Sequence, residues 1–437
     1  MKKLLAVVMV LPLLVTLVQA ADFDGDGTDD IAIFRSDNGL WAVRGVSRYY
    51  YGSSYDIPIG GDYNGDGTDD PVIFRSHVGL WAARYITRCY WGRTNDIPIG
   101  GCSGFVLSVV EVQGISDLVG ATGDGKIGLA WTNPGLSDFY GVRVLRKTGS
   151  YPVNDGDGTV IYEGTGNNIL DDNLTNNYTY FYAVIAYNDD GAHGGIGPDN
   201  RLEITPLEVS LSGENDPYAD EVISFSPLSS GGSDSSAALG PPRGGGKYQG
   251  SLDVVSLHAR VYDGTSPCGG SITLKFNDNL VWDGPGDDFT VFENVFYLNE
   301  NENTRFMEPA IVAVSQDGKT YYTFPYDYVP HYYEDGSINY YNPYSYQEGF
   351  AGIHPVFSND GTPDPTNPSI SGGDSFDLSD ITRKKLAWIQ YIKITATGDG
   401  WLTDSNGDKV RHVQDLGACS GTGSSGFDLD AVSAVNY

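Results

Sequence analysis

Aspartates at Asp22, Asp24, Asp26 and Asp30 take positions 1, 3, 5 and 9 of one short stretch, with Gly27 at position 6 and Thr28 just after it. Forty residues on, Asp62, Asn64, Asp66 and Asp70 repeat the spacing around Gly67 and Thr68. Alternate short carboxylates converge on one point only where the chain curls tightly, and glycine at position 6 permits that curl. Such a group repels itself unless a hard cation sits within it, and oxygen donors at this density suit Ca²⁺. Calcium is therefore the expected cofactor, with solvated Asp-rich turns as the alternative. An EF-hand is disfavoured: position 12 is Ile33 or Ile73 rather than Glu, and the flanks are strand-like.

Further acids recur at predicted strand ends in the C-terminal half: Asp287, Asp288, Glu293, Asp374, Asp377, Asp428 and Asp430. Asp428 and Asp430 lie two apart on a predicted strand and should share a face, where an unneutralised pair is costly. Glu293, Asp428 and Asp430 form a candidate second calcium site. Solvated turns and an acid–base pair for glycoside hydrolysis are the other readings. Asp404, Asn406 and Asp408 offer another short calcium-like run.

Between Tyr321 and Tyr346 the chain carries ten tyrosines, with Phe324 and His331 among them. Rings with polar tips suit sugar faces and protein partners; Tyr332, Tyr333, Tyr340 and Tyr341 are the candidate contact residues. A loop anchored by its own rings is the competing reading. No zinc-protease, nucleophile-elbow or phosphate-loop motif occurs, and the six histidines are scattered. His354, beside Pro355, reads as structural.

The elements that must position these groups are strands. Of the 57 acidic side chains we count 45 Asp and 12 Glu, and there are 57 Gly and 30 Tyr, which favours short strands and tight turns over helices. A formal charge of −31 repels phosphate backbones, excluding nucleic acid as partner. Residues 1–20 read as a signal peptide, with Lys2 and Lys3 before an apolar run and Val18-Gln19-Ala20 at the cleavage point. No later run is long enough to span a membrane. The expected location is extracellular or cell-surface, or else periplasmic. Export permits disulfides, and Cys89 with Cys102 and Cys268 with Cys419 are the candidate pairs; free buried thiols are the alternative.

Residues 21–101 contain two copies at a shift of 40, DFDGDGTDDIAIFRSDNGLWAVR against DYNGDGTDDPVIFRSHVGLWAAR, each ending in DIPIGG. Four predicted strands per copy are the size of a propeller blade. The repeated loops resemble those of FG-GAP/VCBS-type repeats. No third copy follows Gly101, so self-association through the repeats is one way to close a ring. Residues 105–206 resemble a fibronectin type III domain, with Trp131 on strand B and Tyr180 at the tyrosine corner. That resemblance implies a spacer or docking module and no chemistry.

Residues 207–437 read as a larger jelly-roll-like β-sandwich. GGSITLKF, GPGDDFTVFEN, EPAIVAVSQDGKTYYTFP, GFAGIHPVF, GGDSFDLSDI and GFDLDAV, in that order, resemble an uncharacterised family of bacterial secreted or surface proteins. The expectation is thus an all-β, exported, calcium-stabilised binding protein whose partner is an extracellular glycan or surface protein, as in adhesion. The alternatives are a secreted carbohydrate-active enzyme with a catalytic C-terminal sandwich, and a subunit of an extracellular assembly.

Overall fold

The computed structural model describes residues 21–63, 66–84, 87–90, 114–135, 139–188, 193–228, 234–259, 268–411 and 426–437. The expected leader, Asn64, Cys102, Cys419 and the side chain of Cys89 lie outside that description. The chain divides into two compact units. The first holds Met1–Gln113 with Gly135–Gly141 and Ala186–Gly194; the second holds the remainder. Among the described residues no helix is long and apolar enough to cross a membrane.

In the first unit the repeats form strands β1 (Ala32–Arg35), β2 (Leu40–Val43), β3 (Ser47–Tyr50), β4 (Asp56–Gly61), β5 (Asp70–Arg75), β6 (Leu80–Ala83) and β7 (Thr87–Tyr90). The blade boundary differs from the expected one by a strand. β1, β2 and β3 make a three-stranded sheet, whereas β4, the last strand of the first copy, heads the four-stranded sheet β4-β5-β6-β7. The reason lies in the second acidic loop, which joins β4 to β5 as a hairpin closed by the Gly61–Asp70 pair. A tight loop sets its two flanking strands side by side, so the strand before the loop belongs with the copy that follows. Phe34, Trp41, Ile73 and Ala82 form one small core, and Ile59, Tyr63, Val72, Phe74 and Ala83 form another.

In the second unit, β8 (Ser116–Gly123), β9 (Lys126–Thr132) and β12 (Asn168–Asp171) form one sheet in the order β12-β9-β8. The facing sheet, β11-β10-β13-β14, is built from β10 (Phe139–Thr148), β11 (Thr159–Gly164), β13 (Tyr180–Asn188) and β14 (Arg201–Ile204), of which Phe139–Gly141 and Ala186–Asn188 are counted with the first unit. Three strands against four in this order is a fibronectin type III-like sandwich. Trp131 is buried on the second strand. The Tyr180 hydroxyl accepts the Thr175 N–H at 3.1 Å, as a tyrosine corner requires.

The C-terminal sandwich stacks two antiparallel layers. One runs β15-β17-β23-β19-β20, from Glu221–Ser226 (β15), Ser271–Lys275 (β17), Ala310–Ser315 (β19), Tyr322–Thr323 (β20) and Tyr391–Ala396 (β23), with Phe350–Ala351 (β21) also pairing β19. The other runs β16-β24-β18-β22, from Val255–Ser256 (β16), Phe289–Glu293 (β18), Asp374–Phe376 (β22) and Asp428–Ala434 (β24). Alternating residues of both layers, among them Ile272, Leu274, Phe289, Val312, Ile394 and Leu429, bury one continuous core.

The two sandwiches of this unit are locked together. Trp388 is fully buried, its Nε1 donates to the Leu129 carbonyl at 3.1 Å, and it packs with Ala121, Ala130 and Leu280. Gly128 makes room for it: a Cβ there would lie 2.4 Å from the indole. Asn168 fixes the seam on both sides, its Oδ1 accepting the Ala387 N–H and its Nδ2 donating to the Lys385 carbonyl.

Candidate functional site

The first acidic loop is closed at its base by the Ala21–Asp30 bridge. Within it Asp22 accepts the N–H groups of Gly25, Asp26 and Gly27, Asp24 accepts that of Asp26, and Asp26 accepts that of Thr28. Gly27 sits at φ +85° and Gly67 at φ +90°, the left-handed conformation that the position-6 argument requires. Oxygens of Asp22, Asp24 and Asp30 all lie within 4.8 Å of one another. The second loop repeats the wiring, with Asp62 accepting from Asp66 and Gly67, and Asp66 accepting from Thr68. Asp70 accepts the Tyr63 N–H, as Asp30 accepts that of Phe23. The loops abut: the Asp22 N–H donates to Asp69 Oδ2 at 2.7 Å, and the Asp69 N–H donates to the Asp22 carbonyl. Desolvation, with Asp22, Asp62 and Asp29 nearby, pushes the Asp69 carboxyl up.

A cleft of about 490 Å³ in the second unit opens on the C-terminal sandwich where β22 meets the segment after β21. Phe324, Tyr346 and Phe350 form its floor, and Glu348, Asp380 and His354 stand at its rim. Asp374, almost fully buried on β22, accepts the N–H groups of Gly352 and Ile353 on Oδ2, each at 2.8 Å. Its Oδ1 lies 2.7 Å from His354 Nδ1. A carboxylate so held orients an imidazole: Nδ1–H donates to it, and Nε2 is left facing outward on a side chain that is 56% exposed. The sequence held the partner of His354 in a separate phrase 20 residues away, with no spacing rule to join them. Desolvation, with Asp377, Glu348 and Asp287 nearby, raises the Asp380 carboxyl above its usual range.

Glu293, Asp428 and Asp430 are only partly brought together. The Asp428 N–H donates to Glu293 Oε1 at 3.0 Å. Asp430 has different partners: the Arg243 N–H reaches its carboxylate at 2.9 Å, and the Ser251 hydroxyl donates to it at 2.6 Å. Glu308, which sequence reasoning passed over, is as buried as Glu293 and acts on it electrostatically. Asp283, Asp288 and Asp377 form a further set of carboxylates within 4.8 Å. Asp288 there is satisfied by the N–H groups of Gly284 and Leu378 and by Asn436. Asp404 serves the backbone, accepting the N–H groups of Asn406, Asp408 and Tyr328.

The tyrosine-rich stretch does two things. Tyr328 and Tyr346 are buried with Met307, Phe350 and Val410 and anchor the segment. Tyr332 and Tyr333 stand 59% and 47% exposed at a turn closed by the Tyr332–Ile338 bridge, while Tyr340 and Tyr341 are half-buried on the return. None of the four lines the cleft. Cys268 is buried; its candidate partner Cys419 lies outside the described residues.

No family model matches the chain, and no curated protein does. Solved structures that match include a fibronectin type III domain from the human KIAA0970 protein, at 21% identity over 25% of this chain and 85% of that one, with TM-score 0.20. An alpha-L-rhamnosidase from Dictyoglumus thermophilum matches at 10% identity over 68% of this chain and 27% of its own, with TM-score 0.19. Chitinase ChiA74 from Bacillus thuringiensis matches at 9% identity over 87% of this chain and 49% of its own, with TM-score 0.17. At such scores these likenesses carry no argument about activity.

Proposed function

We propose that the protein is an exported, calcium-stabilised modular binding protein that recognises glycans at a bacterial cell surface or matrix, with the cleft of the C-terminal sandwich as its recognition site. The observation that carries this reading is the oriented His354 at the rim of a cleft with an aromatic floor and carboxylates beside it. Sugar hydroxyls are matched by such a set, because exposed carboxylates and an oriented imidazole at the rim can hydrogen-bond them. The FG-GAP/VCBS-like repeats hold calcium in this reading, and the fibronectin-like sandwich, fixed by Trp388, holds the C-terminal sandwich at a set attitude. The exposed Tyr332 and Tyr333 then serve as an outlying contact, for a glycan or a surface protein.

A glycan and matrix-protein array, read with and without calcium, tests the proposal. Binding to a glycan class that falls at least tenfold in His354→Ala and Asp380→Asn supports it. Binding unchanged in both variants places recognition elsewhere. The same dyad favours a second reading, a carbohydrate-active enzyme in which His354 is the base. Release of reducing ends from the bound glycan, lost in His354→Gln, would decide for that reading.

A further inference from the structure

We propose that the outer edge of β1 is a docking edge for a second copy of this chain, whose residues 96–101 add to it as a strand. The second repeat shows what such an edge takes. There β4, with the sequence DIPIGG, pairs with β5 from Asp56–Arg75 to Gly61–Asp70. Asp56 is buried, and Arg75 donates to it twice, from Nε at 2.7 Å and from Nη2 at 2.9 Å. In the first repeat β1 holds the place of β5 but ends its sheet, paired with β2 alone. The Ala21–Asp30 bridge, counterpart of Gly61–Asp70, is what the described residues keep of that ladder. Arg35, the counterpart of Arg75, is exposed, and its guanidinium has no ion-pair or hydrogen-bond partner among the described residues. Ile33 is 42% exposed, whereas Ile73 at the same register position, beside Pro58, is 3% exposed.

The sequence names the occupant. DIPIGG occurs twice, at Asp56–Gly61 and at 96–101. The first segment is handed forward to the repeat that follows it, and no third repeat follows the second segment. No repeat precedes β1 to hand it a strand: residues 16–20, at the corresponding place, read TLVQA, with Thr16 where the fork needs a carboxylate. The donor for β1 is therefore the last repeat of a neighbouring chain. Carried over by the shift of 40, the register sets Asp96 opposite Arg35, Ile97 opposite Phe34, Pro98 opposite Ile33 and Ile99 opposite Ala32. Main-chain hydrogen bonds along an open edge supply affinity, and the Arg–Asp fork fixes the register. Each chain then has one open edge and one donor segment, so the contact is heterologous and the chains join head to tail.

Sedimentation velocity of the full chain over a dilution series reads the association. Species at whole multiples of the monomer mass are expected. Arg35→Glu and Asp96→Arg should each weaken association at least tenfold, with circular dichroism that of the parent. An equimolar mixture of the two variants should restore it. In that mixture the native Asp96 of one chain faces the native Arg35 of the other, and the two introduced charges face each other. A chain that stays monomeric at every concentration overturns the proposal. So does association indifferent to Arg35→Glu, an exposed position, even where Asp96→Arg fails to fold. Folded variants that do not recover on mixing also overturn it, because a strand donated between chains must recover.

Discussion

Asp430 shows how one residue's surroundings decide what a carboxylate is for. Strand alternation puts it on a face with Asp428, yet the Arg243 N–H and Ser251 hydroxyl claim it separately. Burial pushes its carboxyl up from 3.8 to about 6. Between those values the folded chain keeps a proton that the unfolded chain has released. The native state thus binds more protons, and stability falls as pH rises through the window. The loss is at most about 2–3 kcal/mol, complete about one pH unit above the folded value. Urea unfolding of the parent and of Asp430→Asn from pH 4 to 7 measures it: the difference between them should change across that interval and be flat above it. Parallel curves throughout would refute the assignment.

At the scale of elements, the seam between the two sandwiches rests on a fit between a glycine and an indole. Gly128 leaves space on β9 for Trp388, which makes one hydrogen bond and fills the contact. A β-carbon at 128 would have to displace the ring. Gly128→Val should therefore separate the fibronectin-like sandwich from its neighbour without unfolding either core. Trp388→Ala, which leaves a cavity, should cost about 3–5 kcal/mol. Calorimetry of Gly128→Val should show the second unit's transition split in two, and a single transition at the parent's temperature would contradict the rigid seam. A lone fibronectin-like spacer needs no such lock, which is why the resemblance alone suggests a passive module.

For the whole molecule, charge and metal are one question. With a formal charge of −31, the chain carries an excess of carboxylates whose mutual repulsion a bound cation would lower. The two loops lie together in the first unit, closed by mutual hydrogen bonds. A ligand bound only by the native state stabilises it by about 2.7 kcal/mol at a hundredfold excess over Kd. A chelator should therefore lower the melting temperature of the first unit by several degrees, and Asp26→Ala with Asp66→Ala should abolish that response. Scanning calorimetry with and without chelator reads it directly. A first-unit transition indifferent to chelator would remove calcium from the loops.

The local rules were legible in the sequence, because they act over a few neighbours. The glycine at position 6 marked the left-handed turn at Gly27. Trp131 and Tyr180 marked the fibronectin-like sandwich for the same reason: its signature residues sit at fixed offsets within single strands. What depends on pairing across the chain was not legible. The hairpin made by the second acidic loop moved β4 into the next sheet. Asp374 met His354 beside the Val356–Gly372 bridge, and Glu308 came to act on Glu293 from a segment outside its strand, neither of which a local spacing rule foretells. Burial then decided the chemistry of these acids, since a carboxylate's cost and its need for a partner are set by the medium around it rather than by its place in the sequence.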